Sequence, residues 1–303
     1  MFTLQSTKIG FVVLCLYALW HLSLHKPCDI NIYNIETEHG FNYLLQRKTH
    51  DIALIIGTGK TANLITRDNA YRINMVADIW GMNQVFFHPY IVPKFYHLEM
   101  RSGNYGSNRE LWSYFDQSKR QYYTNTTFLT TTSDKNNIAD MLTNKYPIPD
   151  GIVTYRSKMM LNNREGCTES NLKYIYMSDM FNLNGPITEF CAASLTRIIN
   201  IILRMKYNNI AFIGVDLNSA VHFYSNHPFI LGKRGKYERN VLNLDSKKYN
   251  SSIHATGARG IQLFLNKLAF LSINMSYYNL GHTSLLTKMK NIKTISINAF
   301  LHI

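Results

Sequence analysis

The chain has 303 residues, 46% of them hydrophobic, which is enough for one large domain with a small accessory segment. Its formal net charge is +13, but only 17% of its residues are charged, and the densest basic run is Lys233-Arg234-Gly235-Lys236. Because no nucleic-acid-binding motif accompanies this charge, the composition argues against a nucleic-acid partner and favours an anionic substrate or an anionic membrane surface.

An apolar segment, residues 9–24, follows a short tail of residues 1–8. The segment is somewhat shorter than the roughly 20 residues that cross a bilayer as a helix. No small-residue cleavage pattern follows it, so we predict a signal-anchor, that is, a transmembrane helix. A buried amphipathic helix and a peripheral membrane helix are the alternatives. Residues 25–50 are interpreted as a stem, and the main domain is predicted to cover residues 51–303.

The main domain begins with a continuous apolar run, Ile52 to Ile56, which is typical of a buried parallel strand. The run ends in Gly-Thr-Gly-Lys-Thr. A phosphate-binding P-loop needs another glycine at position 54, which is Leu54, so the sequence does not contain that motif. A strand followed by Gly-x-Gly and a helix still lets a nucleotide approach Gly57, Thr58 and Gly59 closely. A tight turn without a ligand is the alternative.

A second apolar run, residues 75–77, leads into a predicted strand that ends near Asn83. The region of residues 95–170 is polar and rich in Asn, Thr and Tyr. It contains a strand-like piece from Thr127 to Thr131.

Residues 184–190 are interpreted as a turn that opens a long apolar helix, residues 191–205. Thr188 is placed to cap that helix or to offer its hydroxyl to an anion at the helix N-terminus. Residues 209–216 then form a short apolar strand that ends in Gly-x-Asp. Since parallel α/β folds bind ligands at the carboxyl ends of strands, Asp216 is a candidate ligand-binding residue.

Residues 217–250 have the composition of a mobile loop, and a loop of this length is often an active-site lid. His254 follows it, just before a predicted amphipathic helix over residues 258–270 and a strand-like run over residues 271–275. A histidine at a loop-to-helix junction is a candidate site residue, and an exposed or capping histidine is the alternative.

These segments together resemble the bacterial sialyltransferases of glycosyltransferase family 42, which extend lipooligosaccharides. The run from Ile55 to Gly59 resembles the family's first strand and glycine turn, which lies against the cytidine nucleotide, although the family usually has Asn where this chain has Thr58. Residues 82–87, Met-Asn-Gln-Val-Phe-Phe, resemble the family's Cys-Asn-Gln-Phe-Tyr-Phe segment. The resemblance implies nucleotide contacts for Gly57, Thr58, Gly59 and Asn83.

Two later segments extend the resemblance. Ile187-Thr188 resembles a family segment that contacts the nucleotide, with Pro186 where a compared member has Arg. Ile213-Gly214-Val215-Asp216 is similar to the family's Ser-Gly-Ile-Asp strand end, which leads into the lid. Two lid tyrosines six residues apart hold the phosphate of the departing CMP in the family, and the same spacing here gives Asn218 and Tyr224.

The segment that begins at His254 resembles the family's His-Ser-Lys-Asn-Thr-Asp-Ile-Lys-Ala-Leu-Glu-Phe, and residues 278–286 look like its Cys-Pro-Asn-Ser-Leu-Leu ending. The family's histidine is the catalytic base, so the resemblance implies that role for His254. The resemblance covers about residues 51–290, although residues 95–170 do not align.

The resemblance implies an α/β fold with a Rossmann-like parallel sheet flanked by helices, a variant of the GT-A glycosyltransferase fold with a mobile lid. It also implies inverting, metal-independent transfer of sialic acid or a related nonulosonic acid from a CMP-sugar donor to a galactoside-type hydroxyl on a glycan. A neutral imidazole at His254 suits deprotonation of that hydroxyl, and Tyr224 suits stabilisation of the leaving phosphate. No metal cofactor is expected, since the chain has no Asp-x-Asp pair and its four cysteines lack metal-ligand spacing.

Two other classes of function are left open. One is a different nucleotide-binding enzyme with a Rossmann core, such as a pyrophosphokinase-like protein, and the other is a catalytically inactive, membrane-anchored relative. The location is open as well. Asn-x-Ser/Thr sites at Asn125, Asn250 and Asn274 suit a Golgi lumen, whereas the bacterial family would place the domain at the inner membrane. The sequence leaves the oligomeric state, including a homo-oligomer, undecided.

Overall fold

A nine-stranded sheet, in which every neighbouring pair is parallel, forms the centre of the protein in the computed structural model. The order of its strands is β1-β6-β5-β4-β3-β2-β9-β10-β11, and β7 and β8 form a separate two-stranded sheet. The strands are β1 Ile32–Asn34, β2 Ile52–Ile56, β3 Asp78–Met82, β4 Phe95–His97, β5 Thr127–Thr131, β6 Ile152–Tyr155, β7 Ser157–Met159, β8 Ile187–Glu189, β9 Asn209–Ile213, β10 Ser276–Asn279 and β11 Lys293–Thr294.

Helices connect the strands and cover the sheet. The α-helices are α1 Glu38–Gln46, α2 Arg67–Asn74, α3 Ser194–Arg204, α4 Pro228–Leu231, α5 Gly257–Leu271 and α6 Ile297–Phe300, and short 3-10 helices span Lys60–Leu64, Asn83–Phe87, Arg120–Tyr122 and Leu285–Lys288.

The structure describes only part of the chain. The predicted membrane anchor, residues 9–24, lies outside that part. Within it, no helix is long and apolar enough to cross a membrane. The described residues are 31–98, 113–115, 117–133, 151–159, 185–190, 193–217, 222–232, 257–272 and 274–303.

Two apolar cores lie on the two faces of the sheet. All five residues of β2 are buried, and they alternate between the cores: Ala53 and Ile55 belong to the core with α3 and α5, whereas Leu54 and Ile56 belong to the core with α2. A strand covered on both faces needs a continuous apolar run, which is the pattern of β2. The predicted strands Ile52–Ile56 and Thr127–Thr131, and the predicted parallel sheet flanked by helices, are therefore confirmed.

The beginning of the described chain belongs to this sheet. The sequence places residues 25–50 in a stem, but β1 pairs with β6, and the side chain of Leu44 in α1 is fully buried. Glu36 also accepts hydrogen bonds from the backbone N–H and the Nε atom of Arg156, at 3.0 and 2.5 Å. These contacts join segments about 120 residues apart, so the local sequence pattern carries little sign of them.

The region around Thr188 differs from its prediction. Residues 187–189 are a strand, β8, paired with β7, so Thr188 does not cap the following helix. α3 begins only at Ser194, and its N-cap residue Ala193 provides no side-chain hydrogen bond. The expectation that Thr188 caps the helix is wrong, because strand pairing holds it six residues before the first helical residue.

The strand predicted over residues 271–275 is also displaced. α5 continues to Leu271, since its apolar residues Ile261, Phe264, Leu265 and Leu268 keep the helical spacing. The backbone N–H of Ser272 still donates to the carbonyl of Leu268 at 2.9 Å. The strand β10 therefore starts at residue 276 and pairs with β9.

Candidate active site at the carboxyl edge of the sheet

The order in which strands are added to the sheet reverses between the parallel neighbours β2 and β9. From β2 the chain proceeds outwards through β3, β4 and β5 on one side, whereas β9 and β10 lie on the other side. Connections that diverge in this way open a crevice at the carboxyl ends of the two strands, which is where open parallel sheets bind ligands. The turn after β2 and the segment after β9 therefore define the candidate site.

The glycines of the turn after β2 allow two backbones to meet. The N–H of Gly57 donates to the carbonyl of Ile213 at 2.8 Å, and the N–H of Gly59 donates to that of Gly214 at 2.7 Å. A Cβ atom on Gly57 would lie 2.4 Å from the carbonyl oxygen of Gly214. Gly214 has a φ angle of +69°, in the left-handed region that favours glycine. The close backbone approach that these glycines allow is therefore between the ends of β2 and β9.

A carboxylate occupies the N-terminus of the 3-10 helix that follows this turn. The Asp216 side chain accepts hydrogen bonds from the backbone N–H of Thr61, at 3.0 Å, and from the Thr61 hydroxyl. A Cβ atom on Gly59 would lie 2.6 Å from this carboxyl group. Helix N-termini favour anions. Asp216 therefore fills the position that a phosphate takes in a P-loop, and its carboxylate is engaged within the protein.

Asn83 directly follows β3, the neighbour of β2, and its backbone is strained. Its φ angle is +52°, which is uncommon for residues other than glycine but is tolerated by Asn. The Tyr96 hydroxyl donates to the Asn83 carbonyl and holds this conformation. The half-exposed amide of Asn83 has no hydrogen-bond partner among the described residues. It is therefore a group that a ligand can bind.

Tyr224 lies next to the 3-10 helix Asn83–Phe87. Its hydroxyl donates to Oε1 of Gln84 at 3.4 Å, and its ring lies 5.2 Å from that of Phe87. Burial raises the pKa of the Tyr224 hydroxyl well above its ordinary value, so the group stays a hydrogen-bond donor at neutral pH. The structure therefore places Tyr224 beside Gln84, the residue that follows Asn83, near the carboxyl end of β3.

His222, for which no role was predicted, lies over the glycine turn. Its Nδ1 is 3.2 Å from the carbonyl oxygen of Thr58, and the N–H of Phe223 donates to the same oxygen at 3.1 Å. Burial lowers the pKa of His222, which keeps the imidazole neutral at pH 7. Nδ1–H is then the donor to Thr58, and Nε2 is an acceptor. The sequence around His222 is polar and predicts a loop, and nothing in it distinguishes this histidine from its neighbours.

The part of the predicted lid that the structure describes, residues 222–232, packs onto the protein. Phe223, Tyr224 and Ile230 are buried in the core that contains α2. Residues 228–231 form the short helix α4, for which the sequence predicted only loop.

Not all predicted site residues are brought together. His254 and Asn218 lie outside the described residues. Thr188 is buried in the separate two-stranded sheet formed by β7 and β8. The adjacent Glu189 forms a buried ion pair with Arg197, at 2.6 Å, which no local pattern in the sequence indicates.

A buried hydrogen-bonded pair lies further along the carboxyl edge. Nε2 of His97, at the end of β4, contacts the hydroxyl of Tyr155, at the end of β6. Only the adjacency of β4, β5 and β6 in the sheet brings these two residues together, so no local pattern in the sequence indicates the pair.

In the part of the chain that the structure describes, no three His, Cys, Asp or Glu side chains are grouped to hold a metal ion. Asp216, the carboxylate in the crevice, is already hydrogen-bonded to Thr61. The metal independence expected from the sequence stays a prediction.

Comparisons with known proteins identify a relative among solved structures. No protein-family model matches the chain, and no curated protein matches it. Among solved structures, the chain is similar to the monofunctional alpha-2,3-sialyltransferase Cst-I from Campylobacter jejuni. The two chains are 16% identical, the match covers 83% of this chain and 82% of that chain, and the TM-score is 0.45.

Proposed function

We propose that the protein is an inverting, metal-independent glycosyltransferase. It transfers sialic acid or a related nonulosonic acid from a CMP-sugar donor to a galactoside-type hydroxyl of an oligosaccharide or glycolipid, at a membrane. The observation that carries the proposal is the hydrogen bond of Tyr224 to Gln84, the residue after Asn83, in a segment that also contacts the glycine turn at Thr58. These residues match motifs of the sialyltransferase family in the same order along the chain.

The donor nucleotide lies across the carboxyl ends of β2 and β3 in this proposal. The Asn83 amide offers both a donor and an acceptor, which suits the base or ribose of a cytidine nucleotide. The half-exposed Thr58 hydroxyl lies on the neighbouring turn. Since Asp216 holds the N-terminus of the 3-10 helix, the nucleotide phosphate is expected to lie towards Tyr224 rather than in that helix.

The reaction requires one base and one group of donors. The acceptor oxygen attacks the anomeric carbon, the bond from that carbon to the CMP phosphate oxygen breaks, and the acceptor proton passes to His254. CMP leaves with an additional negative charge on its phosphate. The Tyr224 hydroxyl stabilises that charge, which requires it to turn from Gln84 to the phosphate when the donor binds.

The test is transfer from CMP-sialic acid to a panel of galactosides by the full chain in the presence of EDTA. We expect wild type and His302→Ala, a substitution of an exposed histidine, to turn over alike, and His254→Ala to lose about a hundredfold or more. A requirement for Mn²⁺ or Mg²⁺ contradicts metal independence. CMP binding without turnover points to another CMP-sugar donor or to an inactive relative. Binding of ATP but not CMP points instead to a different nucleotide-binding enzyme.

A further inference from the structure

A cavity of about 360 Å³ opens at the amino-terminal edge of the sheet, opposite the candidate active site. Its walls come from the segments that lead into four neighbouring strands. Arg47 precedes β2, Asn74 precedes β3, Lys94 precedes β4 and Thr126 precedes β5. Cavities of roughly 300 Å³ and more hold small ligands. The proposed transferase activity leaves this cavity without a role.

Two cationic side chains line the cavity. The Lys94 ammonium donates to the Thr49 hydroxyl at 2.5 Å and to Oδ1 of Asp78 at 3.0 Å. An ammonium group has three hydrogens, and no described residue accepts the third. The Arg47 guanidinium is held by a 2.8 Å hydrogen bond from Nη2 to the carbonyl oxygen of Asn125. Both cations are thereby fixed in place at the cavity.

The nearby carboxylate of Asp78 offsets one of these two charges, because it forms an ion pair with Lys94 at 3.0 Å. Asp78 lies beneath the cavity and accepts hydrogen bonds from the backbone and side chain of Thr49, the backbone and side chain of His50, Lys94 and the Tyr207 hydroxyl. With its lone pairs occupied in this way, Asp78 does not face a ligand. No carboxylate is among the residues that line the cavity, so Arg47 and Lys94, counted together with Asp78, leave one positive charge.

Neutral groups complete the lining. The side-chain amides of Gln46 and Asn125 border the cavity, and neither has a hydrogen-bond partner in the part of the chain that the structure describes. Val92 and Pro93 supply an apolar wall, and 37% of the Val92 side chain is exposed. Fixed cations together with amide N–H donors are the chemistry that binds an oxyanion. We propose that this cavity binds a phosphate group, carried by a soluble molecule or by a lipid headgroup.

The experiment measures binding of inorganic phosphate to the full chain by calorimetry, without CMP, because CMP itself carries a phosphate. Asn125→Asp places a negative charge in the cavity wall, and Val92→Trp fills the cavity while leaving its charges unchanged. Asn298→Asp, at an exposed position of α6, is the matched control for total charge. A second arm measures sedimentation of each variant with phosphatidylcholine vesicles, with and without phosphatidylglycerol.

We expect Asn125→Asp to weaken phosphate binding about fivefold to tenfold, because like charges repel at close range. Val92→Trp should abolish the binding, and Asn298→Asp should leave it unchanged. If only vesicles with phosphatidylglycerol bind, and Val92→Trp prevents it, the phosphate belongs to a lipid headgroup. Equal weakening by the two Asn→Asp variants, or no binding in either arm, overturns the proposal. Unchanged phosphate binding by Val92→Trp also overturns the proposal. Because the substituted residues lie at the opposite edge of the sheet from the candidate active site, these outcomes do not depend on the transferase activity.

Discussion

The Thr61 side chain joins the segments that follow the paired strands β2 and β9. Its hydroxyl donates to the Asp216 carboxylate and accepts from the backbone N–H of Gly214 at 2.9 Å. One hydroxyl thus fixes the segment after β9 against the turn after β2. The spacing of Gly57 and Gly59 relative to Asp216 depends on this contact.

Thr61→Val should destabilise the protein. Valine has the shape of threonine but leaves the buried Asp216 carboxylate without a hydroxyl donor, which costs about 1–3 kcal/mol of unfolding free energy. Urea unfolding measures the change, and Thr124→Val, at an exposed position, is the control. Equal midpoints for the two variants would show that the hydroxyl does not hold the site together.

Asn83→Gly should weaken CMP binding while the fold stays intact. Glycine adopts the φ angle of +52° without strain, so only the amide is lost. Asn83→Ala removes the same amide but should also lower stability by about 1 kcal/mol, since alanine disfavours this backbone region. Calorimetric titration with CMP and thermal unfolding measure the two effects. If both variants bind CMP as wild type does, Asn83 is not a nucleotide-binding residue.

Tyr224→Phe should lower kcat about a hundredfold and leave stability nearly unchanged. Among the described residues its hydroxyl makes a single, long hydrogen bond of 3.4 Å to Gln84, so its loss affects the leaving phosphate more than the fold. Tyr114→Phe is the matched control, because its ring lies in the same aromatic cluster while its hydroxyl contacts His227. An equal loss of activity in both variants would refute a specific role for the Tyr224 hydroxyl.

Asp78 should make stability depend on pH in the acid range. Burial by itself raises the pKa of this carboxyl, but hydrogen bonds from Thr49, His50 and Tyr207 outweigh it and lower the pKa from 3.8 to about 2. A carboxyl with a lower pKa in the folded state stabilises the protein above the unfolded-state value. We therefore expect about 2 kcal/mol of stability to be lost as pH falls from 4 to 2.

Urea unfolding at several pH values tests this dependence. Asp78→Asn should remove it, so that the stability difference from wild type narrows as pH falls. Asp68→Asn, at an exposed position of α2, should leave the dependence unchanged. A constant difference between wild type and Asp78→Asn over this pH range would contradict the assignment.

Local sequence patterns determined several parts of this protein. β2 and β5 were predictable because residues 52–56 and 127–131 are runs of strand-forming residues, apolar throughout in β2. The Gly-x-Gly at Gly57 and Gly59 marked a sharp turn at the end of a strand, and Asn83 was placed at the end of the next. Patterns of this kind lie within one element, so they can be seen without knowing the fold.

The tertiary structure alone decided which of these residues meet. Thr61 and Asp216 are 155 residues apart, and Tyr224 and Gln84 are 140 residues apart. Such pairs meet only because the order of strands places β2 between β3 and β9. The same sheet includes residues 32–34 of the predicted stem as β1, which pairs with β6. Hydrophobic periodicity determines that a strand forms, but contacts between distant segments determine its neighbours, and those contacts leave no local pattern in the sequence.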